Sequence, residues 1–178
     1  LNLAYETAAS AFELEPDNRG VGRAIGGLAS KTGIYGMIGG QTVDVEAAGK
    51  PLDRGRLNFI YRLKTGALME ASMMIGAILA GASSQEVACV ERIASEIGLA
   101  FQIRDDILDV TGNQQELGKP INSDEKNQKT TYVTVEGLEK ADEDVEEISR
   151  QAVERLHSLP YENPFLEELI LSLVYRNK

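Results

Sequence analysis

Tryptophan is absent, histidine and cysteine occur once each, and aromatic residues make up only 6% of the chain. Each scarcity excludes something. Cys89 alone allows no internal disulfide framework, and His157 alone allows neither a His-rich metal site nor a Ser-His-Asp arrangement. The two read as a buried filler and a surface residue. Five prolines and few aromatics leave little material for a β-sandwich and lean towards helices. Positive charge is short as well. The 18 Lys and Arg against 28 Asp and Glu give a net charge of −10, so no basic face offsets the phosphates of a nucleic acid. Long apolar runs are missing too. The strongest, Ala71 to Ala82, has twelve residues, well short of the ~20 needed to span a bilayer, and no membrane span is expected. No signal peptide or basic targeting stretch is visible, which makes the cytoplasm the expected location.

What is present suffices for one domain over 1–178: 178 residues, 43% of them hydrophobic, can bury a sizeable core. Much of the acidity is local. Between Glu139 and Glu168 ten acids stand against three bases, a net of −7, on what reads as a solvated helix that serves solubility. The opening "LNLAYETAASAFE" carries no initiator Met and no cap, so it reads as a helix already under way, with something upstream missing.

Helices with short punctuation account for the remainder. A first segment ends near Glu15-Pro16-Asp17, because proline disfavours helix at the residue before it. A second runs from about Arg19 to Ala48 and is rich in glycine, which lowers helix propensity but lets a neighbouring backbone or ligand come close. Asp53 offers an N-cap for a third through about Ala82. Ser83 with Glu86 forms a capping box for a fourth through Asp109, and Val90, Ile93, Ala94, Ile97 and Phe101 give it a buried stripe. From Thr111 to Lys129 the chain is polar and aperiodic, the mark of a lid or binding loop. Stretches from about Leu138 to Leu159 and Pro164 to Tyr175 close the series. No β-alternation competes and no internal repeat of useful strength is seen, so an all-α bundle is predicted.

The segment "FQIRDDILD", Phe101 to Asp109, places three aspartates within five residues of an otherwise apolar helix. Residues four apart share a helical face, so Asp105 and Asp109 point the same way with Gln102, while Asp106 lies ~100° round. Like charges at this spacing destabilise a helix by a few tenths of a kcal/mol, and a bound divalent cation reverses that sign. All-oxygen ligands suit a hard ion, Mg²⁺ above Zn²⁺, and Mg²⁺ commonly completes its shell with phosphate. Spacing alone leaves a solvated helix end as the simpler reading. The company kept by the cluster changes the balance. Lys64 and Thr65 interrupt an apolar helix in "RLKTGALMEAS", Lys119 and Lys129 flank Asp124 in the polar loop, and lysine serves as a point-charge phosphate binder. Gln41 and Asp44 stand at i, i+3 on the Gly-rich helix; each taken alone reads as structural.

Four stretches, "GGQTVDVEAAGK", "KTGALMEAS", "GLAFQIRDDILDVTG" and "LGKPINSDEKNQKTTYVTVEGLEKA", occur in one order and together closely resemble the trans-isoprenyl diphosphate synthases, the family of farnesyl and geranylgeranyl diphosphate synthases. The resemblance covers essentially the whole chain, aligned to the C-terminal part of the family. It implies a helical bundle of the isoprenoid synthase type around a deep central cavity, usually as a homodimer. It implies condensation of isopentenyl diphosphate with an allylic diphosphate, using three Mg²⁺ ions bridged between two Asp-rich motifs. Asp105, Asp106 and Asp109 match the second motif, with Asp105 the foremost direct ligand. Lys64, Thr65, Gln102, Lys119 and Lys129 match the residues that hold the allylic diphosphate, and among them Lys64 and Lys129, with Asp105, are the expected catalytic groups. Gln41 and Asp44 match the polar pair lining the cavity. Val133 departs from the family, which often has Pro after the position of Tyr132.

The resemblance also implies that the family's N-terminal helices, with the first Asp-rich motif, its adjoining Arg pair and the Gly-Lys-x-x-Arg segment, are missing, and that these 178 residues alone are inactive or nearly so. Two other classes stand beside this reading. One is a non-catalytic subunit of a heteromeric synthase, which would not need Asp105, Lys64 and Lys129 together. The other is a terpene cyclase on the same fold, whose second metal motif is commonly of Asn/Ser/Glu type rather than "DDILD".

Overall fold

The computed structural model describes residues 1–112 and 129–176, and among these residues every regular element is helical. In chain order they are α1 (Asn2–Leu14), α2 (Arg19–Thr32), α3 (Met37–Glu46), α4 (Arg54–Tyr61), a single wide π-turn (Arg62–Gly66), α5 (Ala67–Leu79), α6 (Ser84–Thr111), α7 (Tyr132–Glu136), α8 (Leu138–His157) and α9 (Pro164–Val174). Among the described residues no helix is long and apolar enough to cross a membrane.

The longest helix, α6, organises the bundle. Its 28 residues span about 42 Å at ~1.5 Å per residue. The predicted capping box starts it: Ser83 Oγ accepts from the Glu86 N–H at 3.3 Å, and Glu86 Oε2 accepts from the Ser83 N–H at 2.6 Å. Ile93, Ala94, Ile97, Ala100 and Ile103 are buried at 2% exposure or less. Each isoleucine so placed contributes about 1.5–3 kcal/mol of transfer free energy. Around α6 the apolar side chains gather into one cluster with α4, α7 and α8, a second with α8 and α9, and a third with α2 and α5.

Two sequence expectations need correction, and one short helix carried no signal in the sequence. The segment expected as one helix from Arg19 to Ala48 is two, α2 and α3, separated at Gly33–Gly36. A Cβ on Gly36 would stand 1.9 Å from the Lys31 carbonyl oxygen, so the chain turns there on a residue that has none. The acidic helix α8 is solvated on one side only. Ala141, Val145, Ser149, Ala152 and Leu156 form a buried stripe at helical spacing, and α8 packs along α6. Finally, α7 lies in a β-branched stretch with no helical period. It starts because Thr131 Oγ1 accepts from the Thr134 N–H at 3.2 Å and Thr134 Oγ1 accepts from the Thr131 N–H at 2.8 Å.

Polar ties add to the packing. Lys31 of α2 donates to Glu70 of α5 and, at 2.5 Å, to Glu91 of α6. Burial disfavours the Lys31 ammonium, yet the hydrogen bonds from the two carboxylates prevail and hold its pKa above the ordinary lysine value. The lone cysteine, Cys89, is half-buried with Sγ 3.8 Å from the Arg155 carbonyl, and His157 is exposed beside Glu167 at 2.9 Å.

Candidate functional site

The expected site residues come from four elements. Gln41 and Asp44 lie on α3, Lys64 and Thr65 in the π-turn, Gln102, Asp105, Asp106 and Asp109 on α6, and Lys129 just before α7. Lys119 lies outside the described residues.

The π-turn positions Lys64 and Thr65, and two close approaches fix it. A Cβ on Gly40 of α3 would stand 2.4 Å from the Lys64 backbone nitrogen and 2.7 Å from Leu63 Cβ. On the other side, a Cβ on Gly98 of α6 would stand 2.8 Å from Gly66 Cα. Helices α3 and α6 thus press on the turn from two directions, through positions that only glycine fills. Single π-turns inside α-helices recur at functional sites because they re-aim a side chain without ending the helix. Here the result is a half-buried Lys64 whose Nζ donates to Asp44 Oδ2 at 2.6 Å. The Gly-rich pattern hinted at a close approach, whereas the π-turn left no periodicity signal.

Gly66 faces Gly98, so Gln102 and Asp105 lie about 6 and 10 Å further along α6, at ~1.5 Å per residue. Gln102, Thr65 and Asp105 are half-buried; Gln41 is exposed on α3. Asp44, Tyr61 and Lys129 line one cavity of about 310 Å³, which brings Lys129 to the side of α3 that carries Asp44.

The three aspartates sit in three environments. Asp105 is half-buried and pairs with Arg176, a residue the sequence reading did not single out. Asp106, 4% exposed, points into the bundle. Its Oδ2 accepts from the Tyr61 hydroxyl at 2.5 Å and from the Tyr132 N–H at 2.7 Å. Asp106 therefore ties the start of α7, three residues after Lys129, to α4 and α6. Asp109 is 3% exposed and also engaged. Neither tyrosine carried a signal in the sequence, since both contacts join residues far apart in the chain.

The donor set fits a hard cation. Its oxygens are carboxylate and amide, with no His or Cys among them. Among the described residues no three acids converge as a ready-made cage. Mg²⁺ does not require one, because it takes one or two carboxylates and completes its shell with water and substrate phosphate. Asp105 and Asp109 are the pair on one helical face. Beyond them, Asp144 accepts from Lys140 at 2.8 Å, from the Tyr132 hydroxyl at 2.7 Å and from Arg54 at 3.1 Å. Burial pushes the Asp144 carboxyl up, but these donors outweigh it and leave it below the usual aspartate value. Burial, followed by the hydrogen bond to Asp144, raises the Tyr132 phenol well above its own.

The chain is 39% identical, over 98% of its length, to a chloroplastic geranylfarnesyl diphosphate synthase of Leucosceptrum canum, covering 50% of that protein. It is 38% identical, over 99% of its length, to the farnesyl diphosphate synthase of Escherichia coli (strain K12), covering 60% of it. Among solved structures it resembles an FPP/GFPP synthase from Zymomonas mobilis, with a TM-score of 0.80 and 30% identity over 97% of this chain and 57% of that one. It also resembles a geranyltransferase from Helicobacter pylori complexed with magnesium and isoprenyl diphosphate, with a TM-score of 0.74 and 30% identity over 93% of this chain and 56% of that one. The chain thus spans half to three-fifths of the length of these relatives. Residues 27–160 match the polyprenyl synthetase family. On that match, and on the identities above, the chain belongs to the polyprenyl synthetase family.

Proposed function

We propose that this chain supplies the allylic-diphosphate side of a prenyltransferase site that condenses isopentenyl diphosphate with an allylic diphosphate. The observation that carries the reading is the wedged π-turn, which holds the Lys64–Thr65 segment between Gly40 of α3 and Gly98 of α6, the helix that carries Gln102 and Asp105. Asp105 and Asp109 would hold Mg²⁺, with Asp106 supporting from the flank. When bound, Mg²⁺ neutralises charge on the diphosphate oxygens. The count of three ions, bridged to a second Asp-rich motif, follows the family resemblance. Only one such motif occurs in the 178 residues, so a polypeptide of these residues alone gives no turnover at a normal enzyme's rate.

In this mechanism Lys64, Lys119 and Lys129 donate to the diphosphate oxygens, with Thr65 and Gln102 completing the set. Departure of diphosphate concentrates negative charge on its oxygens, and fixed donors stabilise a developing charge more than water does, since they need no reorganisation. The allylic cation left behind is attacked by the double bond of isopentenyl diphosphate, and a proton is then lost. Gln41 and Asp44 are assigned to the polar end of the substrate cavity, and the ion pair of Lys64 with Asp44 holds the ammonium in place before substrate arrives. Exposed apolar side chains on α1, Leu3, Phe12 and Leu14 among them, support assembly as a homodimer; sedimentation equilibrium of the intact protein returning a monomer would sink that assignment.

The test is steady-state turnover of the intact protein with Mg²⁺, geranyl diphosphate and isopentenyl diphosphate, with and without Lys64→Ala. Loss of one preorganised donor of this kind lowers kcat/KM by about 10²–10³-fold. Consumption of geranyl diphosphate without isopentenyl diphosphate would instead identify a cyclase. No turnover by the intact protein unless another chain is added would identify a non-catalytic subunit.

A further inference from the structure

Asp105, the carboxylate assigned above to Mg²⁺, already has a cationic partner. Arg176, two residues beyond the end of α9, donates from its guanidinium to Asp105 Oδ1. The guanidinium carbon also lies 3.8 Å from the centre of the Phe101 ring. Phe101 and Asp105 are four apart on α6, so one planar group covers a helical turn, stacked at one end and ion-paired at the other. The remainder of the seat is loose. The Arg176 carbonyl accepts from Arg104 Nε at only 3.4 Å, and Arg176 Nε is buried without a partner. The side chains of Arg176 and Asp105 are 22% and 37% exposed. An ion pair that open to water, and a stack beside it, are each worth no more than a few-fold in an equilibrium constant, and an unpaired buried N–H works against both. The docked and released states of this arginine therefore lie close in free energy.

We propose that Arg176 is a built-in counter-cation of Asp105 that a divalent ion displaces, so that metal binding and release of the segment after α9 are one equilibrium. The inference rests on the reading of Asp105 as a metal ligand. A guanidinium and a divalent cation on one carboxylate repel each other, so binding of either weakens the other. Linkage then fixes two consequences: whatever loosens Arg176 tightens metal binding, and metal loosens the segment that carries Arg176. Arg176 is a positioning residue in this scheme. It counters the charge of Asp105 until the metal arrives.

The experiment titrates the intact protein with Mn²⁺ alone and counts the free ion by electron paramagnetic resonance. Native protein, Arg176→Gln and Phe101→Leu are compared. The phenylalanine change leaves net charge untouched and removes only the stack, which separates displacement from plain electrostatics. The Mn²⁺ dissociation constant is expected to fall about three- to tenfold in Arg176→Gln and about two- to fivefold in Phe101→Leu. Amide hydrogen exchange over residues 173–176 of the native protein is expected to speed up when Mn²⁺ is added. Tightening in Arg176→Gln alone, with exchange unchanged, would show a charge acting through space and overturn the displacement. Equal affinity in all three would overturn it while leaving the metal reading intact. Absence of Mn²⁺ binding from all three would overturn both.

Discussion

Replacing Gly40 by alanine tests the wedge that holds Lys64 in place. In an ordinary helix interior the change is favourable by about 1 kcal/mol, because alanine has less backbone entropy to lose. At Gly40 the new methyl would meet the Lys64 backbone nitrogen at 2.4 Å and Leu63 Cβ at 2.7 Å, so α3 must back away from the π-turn. Overpacking of this kind costs about 1–3 kcal/mol, and backbone yields less readily than a side-chain tip, which puts the cost at the upper end. The net expectation is a loss of about 2 kcal/mol. For a domain of this size that corresponds to about 4–8 °C in Tm. The matched control is Gly76→Ala on α5, where nothing lies within 4 Å of the added atom; there the helix term acts alone and stability rises by up to about 1 kcal/mol. Urea unfolding followed by circular dichroism at 222 nm reads both variants on one scale. The reasoning fails if the two shift stability in the same direction. It also fails if Gly40→Ala loses stability but keeps full turnover, because displacement of the π-turn must carry Lys64 with it.

Asp106→Ala removes the acceptor shared by the Tyr61 hydroxyl and the Tyr132 N–H; a loss of about 2–4 kcal/mol in urea unfolding is expected, and a shift below about 0.5 kcal/mol would show that the anchor is idle. Asp144→Asn tests the pH dependence of the second carboxylate network. The Asp144 pKa is depressed in the folded state, so its contribution is fully present above the unfolded value of about 3.9 and fades as pH falls through the folded one. Melting curves of native and Asp144→Asn protein should therefore differ at pH 7 and converge below about pH 4; a gap that stays constant from pH 7 to pH 3 would contradict the assignment.

Local signals in the sequence carried as far as the elements they start. The Asp53 cap, donated to by the Arg56 N–H at 2.8 Å, and the Ser83–Glu86 box are both present, and each marks the start of its helix. The stripe along α6 is buried as its spacing required, apart from its two ends. Long-range placement was not legible. The split at Gly36 and the π-turn at Lys64 both arise from the approach of one backbone to another, which leaves composition unchanged and periodicity only slightly disturbed. The acidity of α8 hid its buried stripe, because seven acids in its twenty residues dominate any average over a helix whose inward positions are few. In the candidate site, spacing on α6 set Asp105 and Asp109 four apart and Asp106 round the flank. It could not show that Asp106 faces tyrosines from α4 and α7, nor that Arg176 comes back to Asp105 across 71 positions of chain.

The contact of Gly66 with Gly98 has a consequence for which changes of length this chain tolerates. It fixes the register of α6 against its neighbour at one point, and the acids follow seven to eleven positions later. One inserted or deleted residue within that interval would turn every acid about 100° round the helix and slide it ~1.5 Å, exchanging the surroundings of Asp105 with those of a buried position. Adding or removing a full turn would nearly restore the facing but shift the acids ~5.4 Å along the axis, away from Lys64. Insertions and deletions in this family member are therefore expected to be absent between Gly98 and Asp109 and to collect in the turns outside it.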